Sequence, residues 1–182
     1  MADLGPVAWP PTPIRTERLV LRESEARDRT ALIELLASPE VGTYLGGPRP
    51  RAGLERDMPA VPGRRPGFFV VELDGAMIGT VMLERRDIGP PARIRPASGE
   101  VDLGYLFRPQ AWGHGYATEA CAAALVWFAG AFPGEHVLLC TQTANHSSMR
   151  LAAKLGFTEA ERFAKYGAEQ WLGVWSPVTR SD

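Results

Sequence analysis

Hydrophobic positions along this chain follow two periods, and the switches between them lay out the elements. "RLVLRE" (18–23) alternates and predicts a strand. In "EARDRTALIELLAS" (25–38), Leu32, Ile33, Leu35 and Leu36 recur at three- and four-residue spacings, which predicts a helix ending before Pro39. "GFFVVELDGAMIGTVMLERR" (67–86) reads as a hairpin turning at Asp74-Gly75. "EVDLGYLF" (100–107) alternates again, with Val101, Leu103, Tyr105 and Phe107 on one face and Glu100, Asp102, Gly104 and Leu106 on the other. Ala117, Ala120, Cys121, Ala124, Leu125 and Phe128 then mark a helix over 115–130, stopped by Gly130 and Pro133. "EHVLLCTQT" has the continuous apolar centre of a buried strand. "NHSSMRLAAKLGF" is a short helix between its cap, Asn145, and Gly156. "TEAERFAKY" and "EQWLGVWS" predict a closing pair of strands. The stretch 39–67 is rich in Pro and Gly with one short helix at "RAGLERDM", and 87–99 is a loop. No segment repeats. The reading is one α+β domain over 14–177, with a loose four-proline arm at 1–13 and a tail at 178–182.

Composition narrows the partners. The chain has 182 residues, 45% hydrophobic and 23% charged, the make-up of a globular protein with a sizeable core. A formal net charge of -1 argues against a nucleic-acid partner held through phosphates. The pairs Arg64-Arg65 and Arg85-Arg86 read as solvated surface. "MADLGPVAWPPTP" lacks the basic and apolar regions of a signal peptide, and no apolar run reaches a membrane span. Cys121 and Cys140 sit in apolar runs as free thiols, which suits a bacterial cytoplasm. His114, His136 and His146 have no metal-site spacing, so no metal is expected.

The candidate chemistry begins at "RPQAWGHGYATEA" (108–120), where a strand gives way to a helix through Gly113-His114-Gly115. A helix N-terminus carries unpaired N–H groups and favours negative charge, and glycine lets a phosphate approach the backbone. Position 118 is Thr118 where a Rossmann fingerprint needs glycine, and Gly115 is followed by Tyr116 where a P-loop needs Lys. A Gly-x-Gly turn is equally at home as a plain strand-to-helix corner.

Four phrases in order lift the loop above that. "RPQAWGHGYATEA" resembles the acyl-CoA pyrophosphate loop of the GCN5-related N-acetyltransferase (GNAT) family, with Gln110, Gly113 and Gly115 on its fixed positions. "NHSSMRLAAKLGF" resembles the family's second motif. "RTERLVLRE" and "DLGYLF" look like the branch that includes ribosomal-protein N-terminal (alanine) acetyltransferases. The resemblance covers Arg15 to Trp175. It implies a mixed, mostly antiparallel, twisted sheet of about six to seven strands with about four helices, splayed between the fourth and fifth strands.

It also implies transfer of an acetyl group from acetyl-CoA to a primary amine: a small molecule or a peptide N-terminus. The pyrophosphate would rest on Ala111, Trp112, Gly113, His114, Gly115, Tyr116 and Ala117, with Gln110 at the entrance. The pantetheine would meet Leu106, Phe107, Arg108, Asn145 and Ser148. An N–H near Phe107 would polarise the thioester carbonyl. An ammonium must lose a proton before it attacks, and Asp102 or Glu100 is the expected base. The family's frequent acid, a tyrosine seven residues after the Asn, is Ala152 here, which leaves Ser148 as the nearest hydroxyl. Tyr44, Arg93, Arg95, Tyr166 and Trp171 are the expected acceptor wall, in a monomer or homodimer. A non-catalytic acyl-CoA sensor is the alternative reading.

Overall fold

The computed structural model describes residues 4–86 and 99–178. Among them are eight strands in one sheet: β1 Ile14–Arg15, β2 Val20–Arg22, β3 Phe68–Leu73, β4 Ala76–Arg85, β5 Val101–Phe107, β6 Val137–Gln142, β7 Thr158–Lys165 and β8 Ala168–Trp175. Five helices accompany them: α1 Arg29–Ala37, α2 Pro39–Gly42, α3 Arg51–Asp57, α4 Tyr116–Ala131 and α5 His146–Leu155. The sheet order is β1-β2-β3-β4-β5-β6-β8-β7, antiparallel throughout except for β5 and β6, which α4 connects as a parallel pair. The expected six to seven strands and four helices become eight and five, because β1 and α2 are too short to carry a period.

Both faces of the sheet are covered, which explains the unbroken apolar run "FFVV" in β3. Phe69 and Val71 join Val81, Leu83, Val101, Leu103 and Phe107 against Ala120, Cys121, Leu125 and Phe128 of α4. Phe68, Val70 and Met77 face the other way, against Leu32 and Leu35 of α1. The β3–β4 hairpin turns at Asp74 and Gly75, φ 50° and 82°. Two positive φ values there make the primed turn that matches strand twist.

The proline-rich opening is more than a loose arm. Leu4 is buried in the core, and Trp9 packs edge-on against Phe69 and Trp127 at ring separations of 5.2 and 5.8 Å.

A buried ion pair ties the first elements together. Arg22 on β2 donates from Nη1 and Nη2 to Asp28 at 2.8 and 3.0 Å, and from Nε to Glu72 on β3 at 2.7 Å.

Candidate active site

The register of β5 and β6 holds at Val101–Val137 and Asp102–Leu138, although β5 runs on to Phe107 and β6 to Gln142. A cleft of about 1140 Å³ opens along this stretch, lined by Gly104 to Phe107 on one side and Leu139 to Gln142 on the other. It reaches Gly113, Gly115 and Ser148 on the α4–α5 face and Leu32, Leu54 and Asp102 on the α1–α3 face. It therefore runs through the sheet.

Backbone direction along β5 follows from its pairing with β4. The N–H of Arg108 donates to Ile78 at 2.9 Å, so even-numbered residues of β5 bond to β4 and odd-numbered ones point toward β6. The N–H groups of Tyr105 and Phe107 are the ones directed at the cleft, whereas those of Leu106 and Arg108 are spent on β4. Leu106 still lines the cleft, and Arg108 does not. The Arg108 side chain pairs with Glu34 at 3.1 Å. The carbonyl of Phe107 accepts from Trp112 Nε1 at 2.8 Å.

The glycine loop has the shape the sequence suggests. Gly113 and Gly115 both have φ +79°, and a Cβ at Gly113 would meet nothing within 4 Å. Gly115 caps α4, and the first backbone bond of the helix is Glu119 N–H to Gly115 O. The N–H groups of Tyr116, Ala117 and Thr118 precede that bond and face the cleft end. Ala111, Trp112, Tyr116 and Ala117 line the cleft, while Gln110 is exposed and does not. His114 is exposed too, stacked on Tyr116 at 5.3 Å. Glu119 fixes the loop from below: it accepts from Thr16 Oγ1 at 2.7 Å and pairs with Arg18 at 2.6 Å. Arg18 in turn donates to the carbonyl of His114 at 2.8 Å and lies over the Tyr116 ring.

Asn145 caps α5, accepting from the N–H of Ser148 at 3.2 Å. Ser148 Oγ accepts from the Tyr105 hydroxyl at 2.5 Å, which leaves the serine's own proton free for the cleft. Burial pushes the Tyr105 hydroxyl up to about 12, although the bond to Ser148 opposes this. The alternation of β5 puts Tyr105 on the apolar face, with its ring packed on the core and its hydroxyl at Ser148.

Asp102 faces the α1–α3 side. Its side chain is 7% exposed, with Oδ2 2.7 Å from Arg86. Directly opposite in register stands Glu84 of β4, 9% exposed, whose Oε2 lies 3.5 Å from Arg65. Burial raises the Asp102 carboxyl to about 6; Arg86 opposes this and the charge of Glu84 adds to it. Arg65 and Arg86 are thus partners of cleft carboxylates, Arg86 from the solvated position that its sequence suggests. Glu100, half-buried one residue before β5, does not line the cleft. Of the acceptor candidates, Tyr44 lines it and donates to the carbonyl of Ala144 at 3.3 Å. Tyr166 sits in the β7–β8 turn at φ 55°, and Trp171 is a core residue donating to Glu159 at 2.8 Å; neither reaches the cleft. Arg93 and Arg95 lie outside the described residues.

The sequence model of the acetyltransferase (GNAT) domain matches residues 18–158. The chain belongs to the GNAT family. Its fold is shared with solved family structures at low identity. A GNAT acetyltransferase from Bacillus anthracis superposes with a TM-score of 0.72 at 20% identity, covering 91% of this chain and 98% of that one. RimL, the ribosomal L7/L12 alpha-N-protein acetyltransferase, gives 0.69 at 14% identity over 91% and 94%. AAC(6')-Ib, solved in complex with ribostamycin and coenzyme A, gives 0.71 at 18% over 91% and 99%. No curated protein sequence matches this chain. Among the described residues no GNAT helix here is long and apolar enough to cross a membrane.

Proposed function

We propose that this protein is an acetyl-CoA-dependent N-acetyltransferase that acts on a primary amine by direct attack, with Asp102 as general base. One observation carries the reading: a single through-sheet cleft joins a glycine-lined helix N-terminus to a buried carboxylate raised to about 6. The open space over Gly113 and the N–H groups of Tyr116 to Thr118 fit a pyrophosphate, and the β5 edge fits an amide-bearing arm. Acetyl-CoA, when bound, supplies the acetyl group as an activated thioester. The N–H of Phe107 or Tyr105 stabilises charge on the carbonyl oxygen. Asp102 takes one proton from the incoming ammonium. Ser148, held by the Tyr105 hydroxyl, is the donor for the departing sulfur. The acceptor gives up a second proton as its amide forms, so the overall reaction releases one proton to solvent.

A base must be ionised to work, so the rate should rise with pH through about 6, where Asp102 loses its proton. Asp102→Asn should lower kcat/KM by roughly 10² to 10⁴ and remove that rise. CoA release with a panel of peptides, small amines and aminoglycosides is the measurement. Wild-type rates in the mutant from pH 5 to 9 would exclude Asp102 as base. Acetyl-CoA binding by calorimetry with no CoA release for any amine would favour the sensor reading.

A further inference from the structure

Glu84 and Asp102 are direct register partners on adjacent antiparallel strands, so both side chains leave the same face of the sheet with Cβ atoms about 5 Å apart. Both carboxylates are more than nine-tenths buried. Among the described residues, Asp102 Oδ1 accepts no hydrogen bond, and Glu84 Oε2 accepts none either, meeting Arg65 only as an ion pair at 3.5 Å. Both residues line the cleft on the α1–α3 side. A buried carboxylate oxygen without a donor costs free energy, and two side by side cost more. An ammonium carries three donors and one positive charge, enough to satisfy both oxygens at once.

The surroundings restrict what carries that ammonium. Leu32, Leu36, Val41, Leu54, Met58 and Phe68 line the same end of the cleft and would accept an apolar body. Arg49, Arg65 and Arg86 line it as well, and their charge opposes a polycation.

We infer that Glu84 is a second, non-catalytic carboxylate of the acceptor site, which with Asp102 seats a single ammonium carried on an apolar body. This rests on the acetyltransferase reading above. Glu84 seats the amine beside Asp102, and Asp102 takes the proton that frees the lone pair. The groups facing Asp102 are Glu84 from β4, Arg86 just beyond the end of β4, and Cys140 from β6, while Arg65 from the segment before β3 faces Glu84. Replacing Glu84 by a neutral amide removes one influence that raises the Asp102 carboxyl.

The experiment is steady-state CoA release by wild type and Glu84→Gln, with hexylamine, phenethylamine, leucinamide and spermidine as acceptors. Acetyl-CoA affinity is followed by calorimetry. In Glu84→Gln the KM for the amine should rise about tenfold or more, while kcat at saturating amine stays within about threefold. The acidic limb of the pH profile should move to lower pH. Acetyl-CoA affinity should not change. The apolar monoamines should exceed spermidine in kcat/KM by about tenfold or more. If Glu84→Gln does not fold, Glu84→Ala is read in its place, with the same rise in KM and the same movement of the acidic limb expected. An unchanged KM with an unmoved acidic limb overturns the role of Glu84 and leaves the acetyltransferase reading standing. A preference for spermidine overturns the acceptor class. Wild-type protein that releases no CoA with any amine overturns the acetyltransferase reading, and this inference with it.

Discussion

Gly115 stands where the demands of the fold and of the proposed ligand meet. At φ +79° it closes the turn into α4, where a Cβ would come within 3.5 Å of Arg18 Nη2. Gly115→Val should cost about 1–3 kcal/mol of stability through the left-handed backbone. It should cost acetyl-CoA affinity more, by roughly tenfold or beyond, because the branched side chain stands where phosphate oxygens would approach. Thermal melting and calorimetry on the same sample separate the two; equal affinity in a folded mutant would make the loop a plain corner. Asp102 shows the opposite bargain. Its carboxyl is held in the fold at about 6 against an ordinary 3.8, so the folded state binds the proton more tightly than the unfolded chain does. Stability from this group is therefore full below about pH 4 and falls as pH rises to about 6, by on the order of 2–3 kcal/mol. Asp102→Asn carries no such titration. The stability of the mutant relative to wild type should grow between pH 4 and 7, as read by urea unfolding at each pH, while its activity is lost. A constant difference across that range would mean the carboxyl is not raised.

At the scale of elements, what was legible in the sequence was local. The loop into α4, the cap at Asn145 and the alternation of β5 each lie within one stretch of chain, and they place the glycine-loop end of the cleft. What was hidden depends on pairing across distance. Glu84 sits in "TVMLERR", where Val81 and Leu83 point to the core and Thr80, Met82 and Glu84 to the other face. Nothing local says that Glu84 will stand opposite Asp102, because residues 87–98 separate the two strands and their length does not fix a register. Arg65 and Arg86 were hidden for the same reason. Tyr166 and Trp171 misled because an aromatic residue in a closing hairpin fits a substrate wall, a turn or a core equally well from its sequence. The ion pair of Arg22 is another cross-element feature. It joins β2, the turn at Ala26–Asp28 and β3, and Asp28 also accepts from the N–H of Glu25 at 2.8 Å. Arg22→Met would leave Asp28 buried without its countercharge, and we expect a loss of about 3–5 kcal/mol by urea unfolding. Arg22→Met combined with Asp28→Leu should lose less than the single mutant, since no orphaned charge remains. A double mutant as unstable as the sum of both singles would contradict this.

Across the whole molecule, the sheet consists of five strands and three strands joined by two register pairs and by the helices that cover them. Sheet proteins ordinarily hide or blunt an open edge, because a row of free N–H and C=O groups invites the strand of another chain and, with it, aggregation. Here the free edges lie in the middle of the sheet, at the bottom of a cleft roofed by helices on both faces. A peptide strand bears a side chain at every residue, alternately up and down, and would strike α4 on one side and α1 on the other. The arm of acetyl-CoA carries its branches at one end only, so most of its length is thin enough to lie between the two faces. The separation that opens the β5 backbone to the cleft thus sets it behind the covering helices, out of line with the strands of other chains.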